Sequence, residues 1–279
     1  MPPRLRRSCL AVPGSSERML AKAAELGADE VVLDLEDGVA RADKEVAREQ
    51  VVRAVAAGGF HATVAVRING AGTPWHADDL AAVADSRPDC VVVPKVAGPE
   101  LLDAIRLPPE IGIEAQIETA VGLVNVERTA AHPRLEALVF GPGDFGASLG
   151  VPALTVGASD PEYPGDQWHY PLARIVVAAR AFGLQAVDGP FAGLDDLDGF
   201  RSAAGRARLL GYDGKWVIHP DQIAPCNQLF TPPADQVERA ERILEAVKGA
   251  ARLDGEMVDE ATRKLAEAIL LRANAGKPM

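Results

Sequence analysis

The chain has 279 residues, of which 48% are hydrophobic and 25% are charged, and this balance excludes a disordered, collagen-like or coiled-coil protein. Its 40 acidic residues outnumber the 29 lysines and arginines and give a net charge of −11. We therefore expect no nucleic acid among its partners, because a phosphate backbone is followed by a large basic surface.

The cysteines Cys9, Cys90 and Cys226 are far apart and odd in number, so the sequence predicts neither a disulfide framework nor a metal-binding cysteine motif. No apolar run of signal-peptide length follows the first residues, and no apolar stretch elsewhere is long enough to span a membrane. These features predict a cytoplasmic protein that has no membrane partner.

Short apolar runs alternate with Ala-rich stretches of helical periodicity along most of the chain. The predicted strands are Cys9–Val12, Glu30–Leu35, Thr63–Ile68, Cys90–Val93, Gly112–Ile117, Ala137–Phe140, Leu184–Val187 and Lys215–Ile218. The predicted helices between them include Glu17–Leu26, Lys44–Ala57, His76–Ala84, Val121–Ala131, Tyr170–Phe182 and Asp195–Leu210. Eight strand–helix units in roughly 230 residues predict an α/β protein of the (β/α)8 TIM-barrel type. A doubly wound sheet is the alternative, although the first turn, Pro13-Gly14-Ser15-Ser16, lacks the GxGxxG pattern.

Two segments lie outside this repeat. Residues 150–168 form a polar loop that contains Gly and Pro and has the length of a functional lid. Beyond Thr231 the sequence predicts a helix over about Asp235–Lys248, a break at Gly249–Gly255 and a second helix over about Asp259–Ala273. We therefore expect a catalytic barrel over residues 1–230 and a helical lid over residues 231–279.

Nearly every predicted strand is followed by charged or hydrogen-bonding side chains. The chemistry-bearing residues at these strand ends are Asp34, Glu36, Asp37, Arg67, Asn69, Lys95, Glu118, Asp144, Asp188 and His219. Catalytic groups of TIM barrels lie at the carboxyl ends of the strands, so this distribution predicts an enzyme rather than a structural barrel.

Glu118 and Asp144 follow adjacent predicted strands and are expected to face the same space. Two such carboxylates either share a proton or bind a cation, and the absence of nearby His and Cys disfavours zinc. A hard cation held by two carboxylates together with water and substrate describes Mg²⁺. The alternative is a pair of unrelated salt bridges.

Three further strand-end residues have two interpretations each. Arg67 has the planar fork that clamps a carboxylate or carbonyl, or it forms a salt bridge with Asp34, Glu36 or Asp37. Lys95 is favoured as an ion-pair partner over a Schiff-base nucleophile. His219, which precedes a proline, is favoured as a hydrogen-bonding residue over an acid–base catalyst.

Seven stretches, in order along the chain, carry a family resemblance: Val32–Val39 (VLDLEDGV), Val66–Gly70 (VRING), Val93–Val96 (VPKV), Ile117–Gly122 (IETAVG), Phe140–Phe145 (FGPGDF), Gly214–Gln222 (GKWVIHPDQ) and Gly255–Asp259 (GEMVD). Together they resemble the citrate lyase beta-subunit-like branch of the HpcH/HpaI aldolase superfamily. Within this branch, Gly165–Pro190 is more similar to the malyl-CoA/beta-methylmalyl-CoA lyases. The resemblance implies a Mg²⁺-dependent TIM barrel that makes or breaks a carbon–carbon bond in a 3-hydroxyacyl-CoA thioester.

The resemblance also implies roles for single residues. Glu118 and Asp144 resemble the metal ligands, and Arg67 resembles the substrate-binding arginine. Further residues would line the active site or lie near the coenzyme A: Gly143, Ile218, His219, Lys22 and Pro13. The residues expected to support the site are Asp34, Glu36, Asp37 and Lys95.

Asp259 resembles an aspartate that the family supplies from the C-terminal lid of a neighbouring subunit. It is the expected acid–base at the acyl-CoA carbon, a role that needs a raised pKa, which burial under a lid would provide. This arrangement implies a homo-oligomer, either a trimer or a hexamer.

The expected substrates are L-malyl-CoA or beta-methylmalyl-CoA, which are cleaved to the 2-oxo acid glyoxylate and to acetyl-CoA or propionyl-CoA. The alternatives are a citramalyl-CoA lyase, a malyl-CoA thioesterase or malate synthase, a citrate lyase beta subunit acting with an acyl carrier protein, and a non-catalytic barrel.

Overall fold

The first part of the chain forms a closed barrel of eight parallel strands, in which the eighth strand pairs with the first. The computed structural model describes residues 4–152, 154–160, 162–247 and 249–275. Within them the barrel strands are β1 Ser8–Pro13, β2 Glu30–Asp34, β3 Thr63–Arg67, β4 Cys90–Val93, β5 Gly112–Ile117, β6 Leu135–Phe140, β7 Gln185–Asp188 and β8 Gly214–Val217. Ser8 of β1 pairs with Lys215 of β8 and closes the sheet, so the TIM-barrel prediction is confirmed and the doubly wound alternative is wrong.

Helices connect the strands on the outside of this barrel, as parallel neighbours require. They are α1 Glu17–Ala23, α2 Lys44–Ala57, α3 His76–Ser86, α4 Pro99–Ala104, α5 Ala120–Val124, α6 Val126–Ala130, α7 Pro142–Leu149, α8 His169–Ala181, α9 Leu197–Leu210 and α10 Ile223–Phe230. The predicted helix Val121–Ala131 is in fact two short helices, because Asn125 between them leaves the helical conformation (φ −99°, ψ 10°). Short 3₁₀ turns lie at Arg41–Asp43 and Pro220–Gln222.

Alternation along the strands sorts their side chains between the barrel interior and the helices. In β2, Val32 belongs to the interior cluster, which also contains Cys9, Ala65, Cys90, Val92, Val139, Val187 and Trp216. Residues two positions away on the same strand share that inward direction. β2 therefore places Glu30 at the amino-terminal floor of the barrel and Asp34 at its carboxyl-terminal rim.

The floor of the barrel contains a buried ionic cluster. The Nε atom of Arg6 lies 2.8 Å from Glu30, and its Nη2 lies 2.8 Å from Glu114 and 2.9 Å from Glu136. Burial, with the charge of Glu114 as the next cause, raises the pKa of Glu30 to about 8 although Arg6 opposes the shift. Glu30 and Glu114 each keep one buried oxygen without a hydrogen-bond donor, and a proton shared between the two carboxyl groups would satisfy both.

The chain divides into two compact units between Asn227 and Gln228, within α10 and close to the expected boundary. The second unit contains α11 Ala234–Ala246, β9 Ala251–Leu253, β10 Glu256–Val258 and α12 Glu260–Ala275. Its small core is formed by Ala240, Ile243, Val258 and Ala266.

The predicted break between the two helices of this unit contains an antiparallel hairpin. Its turn residues, Asp254 (φ 50°) and Gly255 (φ 87°), both have the positive φ that tight hairpin turns require. Among the described residues, no helix combines the length and the apolar character needed to cross a membrane.

Candidate active site

A cavity of about 380 Å³ opens at the carboxyl ends of the barrel strands. It lies entirely within the first unit. The predicted site residues that line it are Pro13, Asp34, Asp37, Arg67, Glu118, Gly143, Asp144 and Ile218. Side chains from six different strand ends or following turns thus meet in one space, as expected for the catalytic face of this fold.

Arg67, the last residue of β3, is held rigidly at the cavity wall. Its Nε and Nη2 atoms each donate a 2.7 Å hydrogen bond to one carboxylate oxygen of Asp34, and its Nη1 lies 3.2 Å from Glu36. The guanidinium carbon also lies 5.1 Å from the centre of the Trp216 ring. Both interpretations of Arg67 are therefore compatible, because the salt bridge to Asp34 fixes the direction of the fork.

Asp34 is buried and remains ionised. Burial favours the protonated acid, but the charge and hydrogen bonds of Arg67 outweigh it and lower the pKa of Asp34 below its usual value. The amides of Glu36 and Gly38 each donate a further 2.8 Å hydrogen bond to its carboxylate. Asp34 thus acts as the counter-ion and orienting group of Arg67.

Lys95 links the acidic residues around the cavity. Its Nζ donates a 2.7 Å hydrogen bond to Glu36 and lies 2.9 Å from Asp144 and 3.8 Å from Asp37. Burial lowers the pKa of Lys95, but the hydrogen bonds to Glu36 and Asp144 outweigh this effect and the net shift is upward. An amine kept protonated is a poor Schiff-base nucleophile, so this environment fits the ion-pair interpretation.

Glu118, directly after β5, is buried and receives two hydrogen bonds. The backbone amide of Lys95 donates to Oε1 over 2.7 Å, and Nε2 of Gln116 donates to Oε2 over the same distance. The Lys95 backbone has a positive φ of 52°. Residues other than glycine seldom adopt this conformation, so the surrounding structure must stabilise it. Burial, together with the charge of Glu36, raises the pKa of Glu118 to about 8. The charges of Arg67 and Lys95 oppose this shift but only partly offset it.

Asp144 lies in the first turn of α7, which begins at Pro142. Its carboxylate and that of Glu118 line the same cavity, and both offer the hard oxygen atoms that Mg²⁺ prefers. No cluster of three or more His, Cys, Asp or Glu suited to a metal ion occurs in the described part of the chain. Two carboxylates are nevertheless what a Mg²⁺ site completed by water and substrate needs, so Glu118 and Asp144 fit this ion.

Comparison with known families agrees with this geometry. A family model described as HpcH/HpaI aldolase/citrate lyase matches residues 7–220. The chain belongs to this family. The match covers the whole barrel, including every cavity residue named above.

Relatives of this HpcH/HpaI family chain extend over nearly its full length. The L-malyl-CoA/beta-methylmalyl-CoA lyase of Cereibacter sphaeroides is 38% identical, with 98% of this chain and 96% of that enzyme covered. The (3S)-malyl-CoA thioesterase of the same species is 36% identical, with 96% and 95% covered.

Solved structures in the same family share the fold. The CitE protein of Mycobacterium tuberculosis, crystallised with magnesium, acetoacetate and coenzyme A, superposes with a TM-score of 0.81 at 31% identity. The superposition covers 97% of this chain and 98% of that protein. Another relative is the citrate lyase beta subunit of the same organism with oxaloacetate and magnesium, at a TM-score of 0.71 and 31% identity over 82% and 98% of the two chains.

Some expected site residues of this family member lie away from the cavity lining. Lys22 is exposed in the last turn of α1. The Nδ1 atom of His219 accepts a 3.3 Å hydrogen bond from the amide of Asp221 and so caps a 3₁₀ turn, which fits the hydrogen-bonding interpretation. Glu36 and Lys95 are not among the lining residues but contact residues that are. Glu36 contacts Arg67, and Lys95 contacts Glu118 and Asp144.

Asp259 belongs to the second unit, where it immediately precedes α12. Its Oδ1 accepts hydrogen bonds from the amides of Ala261 (3.0 Å) and Thr262 (3.1 Å). The bond from the Thr262 amide is the largest cause of a lowered pKa for Asp259. The expected rise in this pKa is therefore not found within the single chain, because the capping amides stabilise the carboxylate.

Nine of the described residues that line the cavity were not predicted as site residues: Ala11, Val12, Gly38, Gln116, Gly141, Pro142, Val156, Pro190 and Trp216. The candidate site residues were predicted from the ends of the strands and the segments that follow them, whereas Gln116 and Trp216 lie within β5 and β8. Their inward direction follows from alternation, since Gln116 lies two positions before Glu118 on β5. Val156 comes from the loop between α7 and α8, where no periodic pattern could single it out.

Proposed function

We propose that this protein is a Mg²⁺-dependent carbon–carbon lyase that cleaves and forms L-malyl-CoA or beta-methylmalyl-CoA. The products of cleavage are glyoxylate and acetyl-CoA or propionyl-CoA. The observation that carries the proposal is the convergence of Arg67, Glu118 and Asp144 on one cavity. The names of full-length relatives support this choice of thioester substrates.

The chemistry of cleavage explains why these residue types are needed. The hydroxyl of the substrate loses its proton, the adjacent carbon–carbon bond breaks, and the carbonyl of glyoxylate forms. The electron pair of the broken bond passes to the α carbon of the thioester, which then takes up a proton to give the acyl-CoA. The proton released from the hydroxyl balances the one that the α carbon takes up, so the overall reaction neither gains nor loses a proton.

Negative charge lies on the alkoxide oxygen before the bond breaks and on the enolate of the thioester afterwards, and different residues serve these two fragments. Arg67, oriented by Asp34, faces the oxygen that becomes the glyoxylate carbonyl and offsets its charge. Glu118 and Asp144 would hold Mg²⁺, which supplies further positive charge to that oxygen when bound. The proton for the acyl carbon is assigned to Asp259.

Asp259 is proposed to act on a neighbouring subunit of a homotrimer or homohexamer. The second unit has its own small core and follows the last of the eight barrel strands, so it suits a separately folded lid. The lowered pKa of Asp259 in the single chain would have to rise on closure, which transfer of the carboxylate away from water would produce.

The proposal is tested with a substrate panel. Acetyl-CoA and propionyl-CoA are each combined with glyoxylate and with pyruvate in the presence of Mg²⁺, and chromatography separates the CoA esters from free CoA. We expect malyl-CoA and beta-methylmalyl-CoA to form, and we expect EDTA to stop both reactions. Glu118→Ala and Asp144→Ala should each abolish turnover while the circular dichroism spectrum stays that of the wild type.

A thioesterase is the second candidate, because one full-length relative is named (3S)-malyl-CoA thioesterase. Incubation with malyl-CoA, followed by the same chromatography, separates the two activities. A lyase incubated with malyl-CoA releases glyoxylate and acetyl-CoA, whereas a thioesterase releases malate and free CoA. Formation of free CoA without any glyoxylate would reject the lyase proposal in favour of hydrolysis.

A further inference from the structure

Among the described residues of the loop between α7 and α8, Val156 contributes an apolar side chain to the cavity wall. Its methyl groups pack beside the first turn of α7. A Cβ atom placed on Gly143 would lie 3.4 Å from Cγ2 and 3.7 Å from Cγ1 of Val156. Val156 therefore borders the part of the cavity next to Gly143 and Asp144.

The backbone at Val156 is fixed against the segment that follows β7. The carbonyl of Val156 accepts a 3.0 Å hydrogen bond from the amide of Ala192. The next residue, Gly157, is buried at a φ of +79°, and a Cβ atom there would lie only 2.3 Å from the carbonyl oxygen of Pro190. The chain passes this point in a conformation that glycine alone accommodates, so Val156 has a defined position.

Two side chains outside the cavity anchor Ala158, Ser159 and Asp166 of this loop. The indole of the buried Trp168 donates a 2.8 Å hydrogen bond to the carbonyl of Ala158, and its ring packs against Phe140 at 5.9 Å. Arg206 of α9 donates to the Ser159 hydroxyl at 2.6 Å and to Asp166 at 3.1 Å. These contacts make the wall formed by Val156 resistant to displacement by a larger substrate.

The position of this wall relative to the carboxylates decides which substrate fragment meets it. In the proposed reaction the 2-oxo acid is the fragment bound beside Glu118 and Asp144, and Asp144 is adjacent in sequence to Gly143, which Val156 touches. We propose that Val156 is a specificity-determining residue that limits the substituent on the carbonyl carbon of the 2-oxo acid. The hydrogen on this carbon in glyoxylate is accommodated, whereas the methyl group of pyruvate would collide with the Val156 side chain. This inference rests on the proposed lyase function.

The test compares the wild type with Val156→Ala and Val156→Ile in the condensation direction. One methylene or methyl group in an apolar pocket changes selectivity by roughly 10-fold to 200-fold. We expect Val156→Ala to raise the ratio of kcat/KM for pyruvate over glyoxylate about 10-fold, with acetyl-CoA as the cosubstrate. Val156→Ile should lower the same ratio. With glyoxylate fixed, the ratio for propionyl-CoA over acetyl-CoA should stay within about twofold for both variants.

Val177→Ala is the matched control, because Val177 is 67% exposed on α8 and remote from the cavity lining. It should leave both ratios unchanged. If the wild type has no lyase activity with any pair of substrates, the proposed function itself fails. If the wild type is active but neither Val156 variant changes the pyruvate-to-glyoxylate ratio, the inference about Val156 is wrong. A change confined to the propionyl-to-acetyl ratio would also overturn it, since Val156 would then face the acyl group.

Discussion

Arg67 keeps a charged group at the cavity wall although only 7% of the residue is exposed. An unpaired guanidinium would be very costly to bury, and Asp34 provides a two-point partner that satisfies it. The contacts that stabilise the charge are therefore the same contacts that aim it. Asp34 thus both stabilises the charge of Arg67 and fixes its orientation. A substitution that keeps the charge but changes the shape of the side chain tests the two contributions separately.

Arg67→Lys keeps the positive charge and removes the fork. Lysine has a single nitrogen and cannot bridge both oxygens of Asp34 while also facing the substrate, so we expect kcat/KM to fall at least about 100-fold. Steady-state kinetics measure the loss, and circular dichroism checks the fold. Arg53→Lys, at an exposed pair with Glu17, is the control that should remain active. A near-native rate and KM for Arg67→Lys would contradict the proposed clamp.

At this scale the sequence predicted the rim residues better than their contacts. Asp34, Arg67 and Glu118 were identifiable because each ends an apolar run, and strand ends of a barrel share one face. The amide of Lys95 that donates a hydrogen bond to Glu118 belongs to a residue with a positive φ. A lysine in the sequence gives no indication of this conformation. Trp216 lies within β8, and its contact with Arg67 joins residues about 150 positions apart, which no local pattern shows.

The junction between β6 and α7 shows how two neighbouring elements hold one carboxylate. Gly141 lies between them, and a Cβ atom on it would come within 2.5 Å of both Cβ and Oε2 of Glu118. Its φ of −111° and ψ of 86° lie outside the left-handed region, so the requirement for glycine is one of space. The close approach of this backbone limits where the Glu118 side chain can lie.

Gly141→Ala should therefore displace Glu118 without disrupting the barrel. We expect the Mg²⁺ concentration for half-maximal activity to rise about 10-fold or more, because a carboxylate displaced by a fraction of an ångström loses its place in the site. Magnesium titration of the activity measures this effect. Gly205→Ala is the control, since a Cβ there meets nothing within 4 Å in α9 and alanine favours a helix. Unchanged magnesium dependence in Gly141→Ala would contradict the steric argument.

The elements themselves were predictable where they are long and periodic. All eight barrel strands were predicted from apolar runs, although polar residues such as Glu114, Gln116 and Lys215 interrupt some of them. The hairpin of β9 and β10 was missed because strands of three residues are too short to show alternation, and only Asp254-Gly255 marks its turn. Val121–Ala131 divides into two helices at Asn125. The periodicity of the apolar residues did not reveal this break, because an asparagine can also occur within a continuous helix.

At the scale of the whole molecule, the proposed site needs residues from two units. The barrel unit carries Arg67, Glu118 and Asp144, whereas Asp259 belongs to the unit after Asn227. Asp259→Asn should preserve the binding of Mg²⁺ and glyoxylate, measured by calorimetry, while cleavage falls at least about 100-fold through loss of the proton donor.

Mixing subunits tests whether Asp259 acts on a neighbour. Inactive Asp259→Asn and inactive Glu118→Ala subunits, mixed under conditions that allow exchange, should regain part of the activity, because some sites then combine an intact barrel with an intact lid. Native mass spectrometry verifies the exchange. Proven exchange without any recovery would mean that each lid serves its own barrel or that Asp259 does not carry the proton.

The ionic floor predicts how stability depends on pH. The pKa of Glu30 rises from an ordinary 4.5 to about 8 in the folded protein, mainly through burial. Between these values the folded state holds a proton that the unfolded state has lost, so the free energy of unfolding falls as pH rises and levels off above about 8.

Glu30→Gln mimics the protonated acid and removes this dependence. From pH 5 to pH 9 the variant should lose less stability than the wild type, with a difference on the order of 2 kcal/mol. Denaturant unfolding at both pH values measures it. Glu49→Gln, an exposed helical position, is the control. Equal slopes for wild type and Glu30→Gln would show that Glu30 is already ionised at neutral pH.

The seam between β1 and β8 joins the first strand to be synthesised with the last strand of the barrel. Arg6, just before β1, makes side-chain contacts as distant in sequence as Gln185. At typical translation rates of 5–20 residues per second, the roughly 200 residues between these strands take about 10–40 s to emerge from the ribosome. Throughout that interval the outer edge of β1 has no strand to pair with, and Arg6 lacks its later partners. The nascent chain therefore completes its barrel late, and this open edge is the surface that a ribosome-associated chaperone would have to shield.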